Sequence, residues 1–254
     1  MSECESWTLV TGASRGIGHA VVERLVASGR HVVACARDVS ALAKLEQRHP
    51  GRVIGLSVDL SVQGAGVRCI DQAERRAGAL SELVLCAGQV CYEPLGHVTE
   101  QSLRAQLELN FITPFMMLQH AGMLLRARGG GSIVVIGSTL ASQPAPLTSA
   151  YAASKAALIS ATRGCALELA PSVRVNAIAP GVVDTDMVHV VRGPLAQAAA
   201  AADVIAVQLE QLRTLHPLGR LGTPLDVAQA VLYLLDASWV TGSVLTVDGG
   251  LTLS

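Results

Sequence analysis

The chain is poor in aromatic side chains: two Trp, three Tyr and two Phe make up 3% of its 254 residues. Its core must therefore be built from Ala, Val, Leu and Ile, a composition that suits helices packed on a parallel sheet. Charge is scarce too, at 15% of residues with a formal net charge of -1. Without a basic excess, neither nucleic acid nor an anionic membrane surface is an expected partner. Half of the residues are hydrophobic, which excludes a disordered chain. There is no long apolar run. The Ala-rich stretch Ala196–Val207 is interrupted by Asp203 and is too short to span a bilayer. The start, MSECESW, is polar and acidic, unlike a secretory leader. Six cysteines (Cys4, Cys35, Cys69, Cys86, Cys91 and Cys165) form no CxxC pair and no cluster with zinc spacing, so no metal site is expected. They read as reduced thiols of a cytoplasmic protein.

What is present is an alternation. Short apolar runs fall at Trp7–Thr11, His31–Ala36, Val53–Val58, Leu83–Cys86, Ser132–Ile136, Val173–Ile178 and Val244–Val247. Their nearly continuous hydrophobicity predicts strands buried on both faces. Between them, amphipathic segments predict helices at Gly16–Ser28, Ser40–Gln47, Val62–Ala77, Glu100–Arg126, Ala150–Leu169 and Pro224–Leu235. This order predicts one α/β domain over residues 1–254, a doubly wound parallel sheet of about seven strands with helices on both faces. Met187–His216 leaves the rhythm. Its middle, Leu195–Leu212, predicts one or two helices, and its place after a strand's carboxyl end predicts a segment covering a ligand site.

The first predicted strand runs into Thr11-Gly12-Ala13-Ser14-Arg15-Gly16-Ile17-Gly18, which opens a helix. Gly12 suits a tight turn, Gly16 a close approach of backbone N–H groups to a pyrophosphate, and Gly18 close packing of helix on strand. The spacing is GxxxGxG rather than GxGxxG. The second predicted strand ends Ala34-Cys35-Ala36-Arg37-Asp38. An acidic residue at this end would hold the 2′-hydroxyl of NAD. The expected position is Ala36, and Arg37 after it suits the 2′-phosphate of NADP(H), with Arg15 as a second cation. A register two residues later would instead give Asp38 the NAD role.

Tyr151 and Lys155 are four apart in a helix-forming segment and so share a face. An ammonium near a phenol favours the phenolate, and a tyrosine needs such help to exchange protons near neutrality. Ser138 ends the fifth predicted strand, where its hydroxyl can hydrogen-bond a carbonyl oxygen.

Thr11–Gly18, Cys86-Ala87-Gly88, Asn110, Ser138, Tyr151, Lys155 and Pro180-Gly181 stand in an order and spacing that resembles the classical short-chain dehydrogenase/reductase family. The likeness extends over nearly the whole chain. Asn176–Met187 is similar to the 3-oxoacyl-acyl-carrier-protein reductase branch. The resemblance implies a Rossmann-type fold and an NADP(H)-dependent oxidoreductase that interconverts a ketone or aldehyde and an alcohol. It implies that Tyr151 exchanges the proton with the substrate oxygen. Lys155 lowers the tyrosine pKa and binds the nicotinamide ribose, and Ser138 orients the carbonyl. Asn110 kinks its helix and holds a water on the proton relay. Asp59 binds the adenine amino group, while Val183 and Thr185 contact the carboxamide and phosphates. Gly12, Ser14, Arg15, Gly16, Ile17, Gly18, Arg37, Leu60, Cys86, Ala87, Gly88, Pro180 and Gly181 complete the implied cofactor site. Relatives form homotetramers or homodimers through the two long helices. Two departures stand out: Cys86 replaces the family's Asn, and Met187–His216 is longer than in the acyl-carrier-protein branch. The latter suggests a hydrophobic or fairly large small-molecule substrate. A nucleotide-binding regulator on the same fold is the alternative.

Overall fold

A computed structural model describes residues 6–190 and 201–253. Seven strands form one parallel sheet in the order β3-β2-β1-β4-β5-β6-β7. They are β1 (Trp7–Thr11), β2 (His31–Ala36), β3 (Val53–Ser57), β4 (Leu80–Leu85), β5 (Gly131–Ile136), β6 (Val173–Pro180) and β7 (Val244–Val247). The helices are α1 (Gly16–Ala27), α2 (Val39–Arg48), α3 (Ala65–Ala77), α4 (Glu100–Leu107), α5 (Thr113–Ala127), α6 (Ser149–Leu169), α7 (Ala201–Thr214) and α8 (Pro224–Asp236).

Side chains alternate across each strand, so the apolar runs feed two cores. Leu9, Cys35, Leu83 and Val135 face α3, α5 and α6. Val10, Ala34, Val84 and Val134 face α1, α2 and α8. This is why the strands read as continuous hydrophobic stretches. Strand order reverses between β1 and β4, and the crevice beyond the carboxyl ends of these strands is where such sheets bind ligands.

Two expectations change, and a third lies partly outside the described residues. The long helix predicted at Glu100–Arg126 is two helices joined by a π-helical turn, Glu108–Ile112, with Asn110 buried at its centre. Such turns occur frequently at functional sites. The third helix begins at Ala65, not Val62, because Gly64 takes a left-handed conformation (φ 73°) as its N-cap. In the Met187–His216 segment, α7 occupies Ala201–Thr214; the part of the predicted Leu195–Leu212 helix before Ala201 lies outside the described residues. No helix among the described residues is long and apolar enough to cross a membrane.

Candidate active site

The site is a cleft at the switch point. At one end the glycine loop leaves β1. The Thr11 hydroxyl accepts hydrogen bonds from Cys86 N–H (2.9 Å) and Ala87 N–H (3.1 Å), tying the end of β1 to the end of β4. The turn thus survives the family Asn being Cys86, because the contact uses only backbone groups of residue 86. Burial pushes the Cys86 thiol up to about 12, so it stays a neutral, packed side chain. Gly18 has no room for a side chain: a Cβ there would lie 2.2 Å from Gly12 O. At Gly16 (φ +54°) a Cβ would press on Thr185 Cγ2 at 3.2 Å. Helix α1 has no side-chain N-cap and no acidic residue in its first turn. Its unpaired N–H groups and positive dipole end therefore face the cleft, where they suit a phosphate.

Gly12, Ser14, Arg15, Gly16, Ile17 and Gly18 all border this cleft. So do Ala36 and Arg37 at the end of β2, and Asp59 and Leu60 after β3. Asp38 does not border it. Its side chain accepts from Ala41 N–H at 3.0 Å and caps α2. Asp59 Oδ1 accepts from Ser61 Oγ–H (2.7 Å) and Ser61 N–H (3.0 Å), bonds that hold its carboxyl below the ordinary range. Cys86, Ala87 and Gly88 form the floor, and Pro180, Gly181, Val183 and Thr185 form the opposite wall.

Ser138, Tyr151 and Lys155 meet at the other end. Tyr151 lies in the first turn of α6 and Lys155 one turn later; they are 8% and 3% exposed. Lys155 Nζ donates to Ile136 O at 2.8 Å and sits 5.8 Å from the centre of the Tyr151 ring. Burial lowers the Lys155 pKa to about 8. The sequence expectation for Tyr151 was a lowered pKa. In the structure burial raises it, and the hydrogen bond with Ser138 offsets only part of the rise. The phenolate loses more from desolvation than it gains from its neighbours.

Asn110 lies behind this group. Its Oδ1 accepts from Gln89 N–H (2.9 Å), and its Nδ2 donates to Gln89 O (2.8 Å) and Ser154 Oγ (3.1 Å). Ser154 Oγ in turn donates to Tyr151 O at 2.7 Å. Asn110 thus braces the helix turn that carries Tyr151.

Sequence reasoning missed several bordering residues: Val58, Leu109, Ile136, Gly137 and Asp186; Met187 and Val188, which also border the cleft, begin the segment expected to cover a ligand site. Most adjoin residues that were found, so adjacency was the available signal. Asp186 bridges Arg15 at 3.2 Å between the two lips of the cleft, with both side chains exposed.

The family model described as enoyl-(acyl carrier protein) reductase matches residues 12–252. Carbonyl reductase family member 4 of Danio rerio is 34% identical over 96% of this chain and 97% of its own length. The 3-oxoacyl-acyl-carrier-protein reductase of Homo sapiens is 31% identical over 96% of this chain and 97% of its own. Among solved structures, the aldohexose dehydrogenase of Thermoplasma acidophilum superposes with a TM-score of 0.86 at 29% identity, covering 98% of this chain and 95% of that one. The glycine cradle and the Ser, Tyr and Lys at its far end agree with these matches, and the chain belongs to the short-chain dehydrogenase/reductase family, resembling its 3-oxoacyl-acyl-carrier-protein reductase branch.

Proposed function

We propose that the protein reduces a ketone or aldehyde with NADPH, and that Tyr151 delivers the proton. The observation carrying this reading is that Ser138, Tyr151 and Lys155 meet at one end of a cleft whose other end is the glycine loop and Arg37. The relatives named for carbonyl and 3-oxoacyl reduction support the same reaction class. Bound in the cleft, NADPH supplies the hydride. The chain supplies position and proton. Ser138 and Tyr151, neighbours at this end of the cleft, hold the carbonyl oxygen. Burial keeps the Tyr151 phenol protonated, the state a proton donor needs. Negative charge developing on the oxygen draws that proton, and the Lys155 ammonium stabilises the phenolate left behind. Lys155 also holds the nicotinamide ribose, and Asn110 keeps α6 in place.

Arg37 supports NADPH over NADH. A 2′-phosphate beyond β2 meets a guanidinium at Arg37, a neutral Ala36, and an Asp38 occupied as a helix cap. Arg15 is the second cation. Its exposed pair with Asp186 is worth only about 0–1 kcal/mol, so a phosphate can replace the carboxylate. In this reading Asp59 takes the adenine amino group, while Val183 and Thr185 contact the carboxamide and phosphates. The substrate in this reading is hydrophobic or fairly large. The enzyme works in the cytoplasm as a homotetramer or homodimer. Exposed Met116 and Met123 on α5 and Leu167 on α6 support those helices as the contact.

The test is an NADPH-oxidation screen over carbonyls of graded size, with kcat/KM compared for NADPH and NADH. Turnover with a clear NADPH preference is expected. Tight NADPH binding with no turnover would indicate the regulator instead, and an NADH preference would overturn the role of Arg37.

A further inference from the structure

The segment after β4, Gln89 to Glu93, is stitched to one side of the helix that precedes and contains the π turn. Asn110 holds both backbone groups of Gln89, at 2.9 and 2.8 Å. Cys91 N–H donates to Gln106 Oε1 at 3.1 Å. Ser102 Oγ donates to the Glu93 carboxylate. Residues 89, 91 and 93 are thus matched to 110, 106 and 102. The match is geometric: two residues of extended chain advance about 6.6 Å, and four residues of helix rise about 6 Å. The Gln89 side chain also points to the helix, donating to Ala105 O at 3.2 Å.

With the odd positions facing α4, Val90 and Tyr92 project to the other side. The start of the segment lies against the catalytic lysine, a Cβ on Gly88 being 3.4 Å from Lys155 Nζ, and Tyr92 lies close enough to Tyr151 to help raise its pKa. The far end of the segment is fixed as well. Glu93 N–H donates to Leu147 O at 3.0 Å, in the turn that opens α6. Leu147 has φ 69°, the sole positive value for a non-glycine among the described residues. A strained residue of this kind persists only where its surroundings over-determine it.

Gln106 is the unexpected member. It is fully buried, and its Nε2 has no hydrogen-bond partner. A buried donor left unpaired is costly, so an apolar side chain of similar size would suit packing better. What Met or Leu cannot supply is an acceptor for Cys91 N–H.

We propose that Gln106 is a positioning residue that pins the register of Gln89–Glu93 and thereby sets Tyr92 as a wall of the substrate site beside Tyr151. This role rests on the carbonyl-reduction reading. Tyr92 then packs against the substituent next to the carbonyl, and a flat apolar group fits it best. Of the three tyrosines in the chain, two therefore serve this site.

The test is a double-mutant cycle of Gln106→Met and Tyr92→Ala. The probes are acetoacetyl-N-acetylcysteamine, 1-phenylbutane-1,3-dione and cyclohexanone, using whichever the wild type turns over. Gln106→Met is expected to raise KM about tenfold, with kcat and the Kd for NADPH within about threefold and Tm unchanged or higher. Added to Tyr92→Ala, it should change KM by no more than about twofold, because it acts through Tyr92. Gln106→Glu keeps an acceptor and should stay within about threefold of the wild-type KM. Unchanged KM in either single variant, multiplicative effects in the double variant, or a fall in Tm accompanied by lost NADPH binding in Gln106→Met would each overturn the pin. No NADPH oxidation by the wild type with any probe overturns the carbonyl reading, and this role with it. Wild-type turnover with multiplicative effects overturns only the pin.

Discussion

Replacing Lys155 with Met is expected to change the pH dependence of stability by an amount the structure sets. Lys155 is 3% exposed, and burial lowers its pKa from 10.5 to about 8. At 1.36 kcal/mol per pH unit, the folded state disfavours the ammonium by about 3 kcal/mol at pH 7. Methionine removes that penalty but strands Ile136 O, the acceptor of Lys155 Nζ, at a cost of about 1–3 kcal/mol. The variant should therefore be about as stable as the wild type at pH 7, or more so. The pH dependence is sharper than the absolute value. The folded pKa lies below the unfolded one, so between about 8 and 10.5 the unfolded chain binds more protons and wild-type stability rises with pH. Relative to Lys155→Met, the wild type should gain about 2 kcal/mol between pH 7 and pH 9.5. Urea unfolding of both proteins without nucleotide at these two pH values measures the difference, and every other titrating group cancels. Parallel curves for the two proteins would show that Lys155 is not desolvated as described, and would remove the basis for its part in catalysis.

Other expectations follow from the same site. In the proposed mechanism Lys155 is protonated to stabilise the Tyr151 phenolate, so kcat/KM for NADPH, which reports the free enzyme, should fall about tenfold per pH unit above about 8; a flat profile to pH 9.5 contradicts this. Gly18→Ala places a Cβ 2.2 Å from Gly12 O. It should destabilise the protein by about 1–3 kcal/mol in urea unfolding and weaken NADPH binding, read by nucleotide fluorescence. Arg37→Glu replaces a charge-assisted hydrogen bond with repulsion, so kcat/KM for NADPH should fall about 10–100-fold while that for NADH stays level or rises. Equal losses with both nucleotides would assign Arg37 a structural task.

Much of this molecule is legible in its sequence, for local reasons. The two cores need apolar residues on both faces of the central strands, so β1, β2 and β5 show as nearly unbroken runs. The glycine loop and the Tyr151–Lys155 pair show because each function demands fixed residue types at short spacing. Features set by distant parts of the chain were hidden. The helix around Asn110 keeps an apolar stripe across its π turn, so its periodicity gives no sign of a break, and only the family resemblance, which implies a kink at Asn110, marks it. Asp38 leaves the cofactor register open in the sequence, and its capping bond to Ala41 N–H appears only in the fold. The sign of the Tyr151 shift depends on how deeply the ring is buried, which spacing does not reveal. The pairing of Gln106 with Cys91 spans fifteen positions, from a helix to the segment after β4, so no local spacing announces it.

The central claim is that Tyr151 is the proton donor of a carbonyl reduction. Its most direct test is NADPH oxidation by wild type and Tyr151→Phe with the same ketone, beside NADPH binding by both. Phenylalanine keeps the ring and its packing and removes the acidic hydrogen. The variant should bind NADPH within about threefold of the wild type and lose about 10²–10⁴-fold in kcat. Turnover by Tyr151→Phe at the wild-type rate would contradict the account.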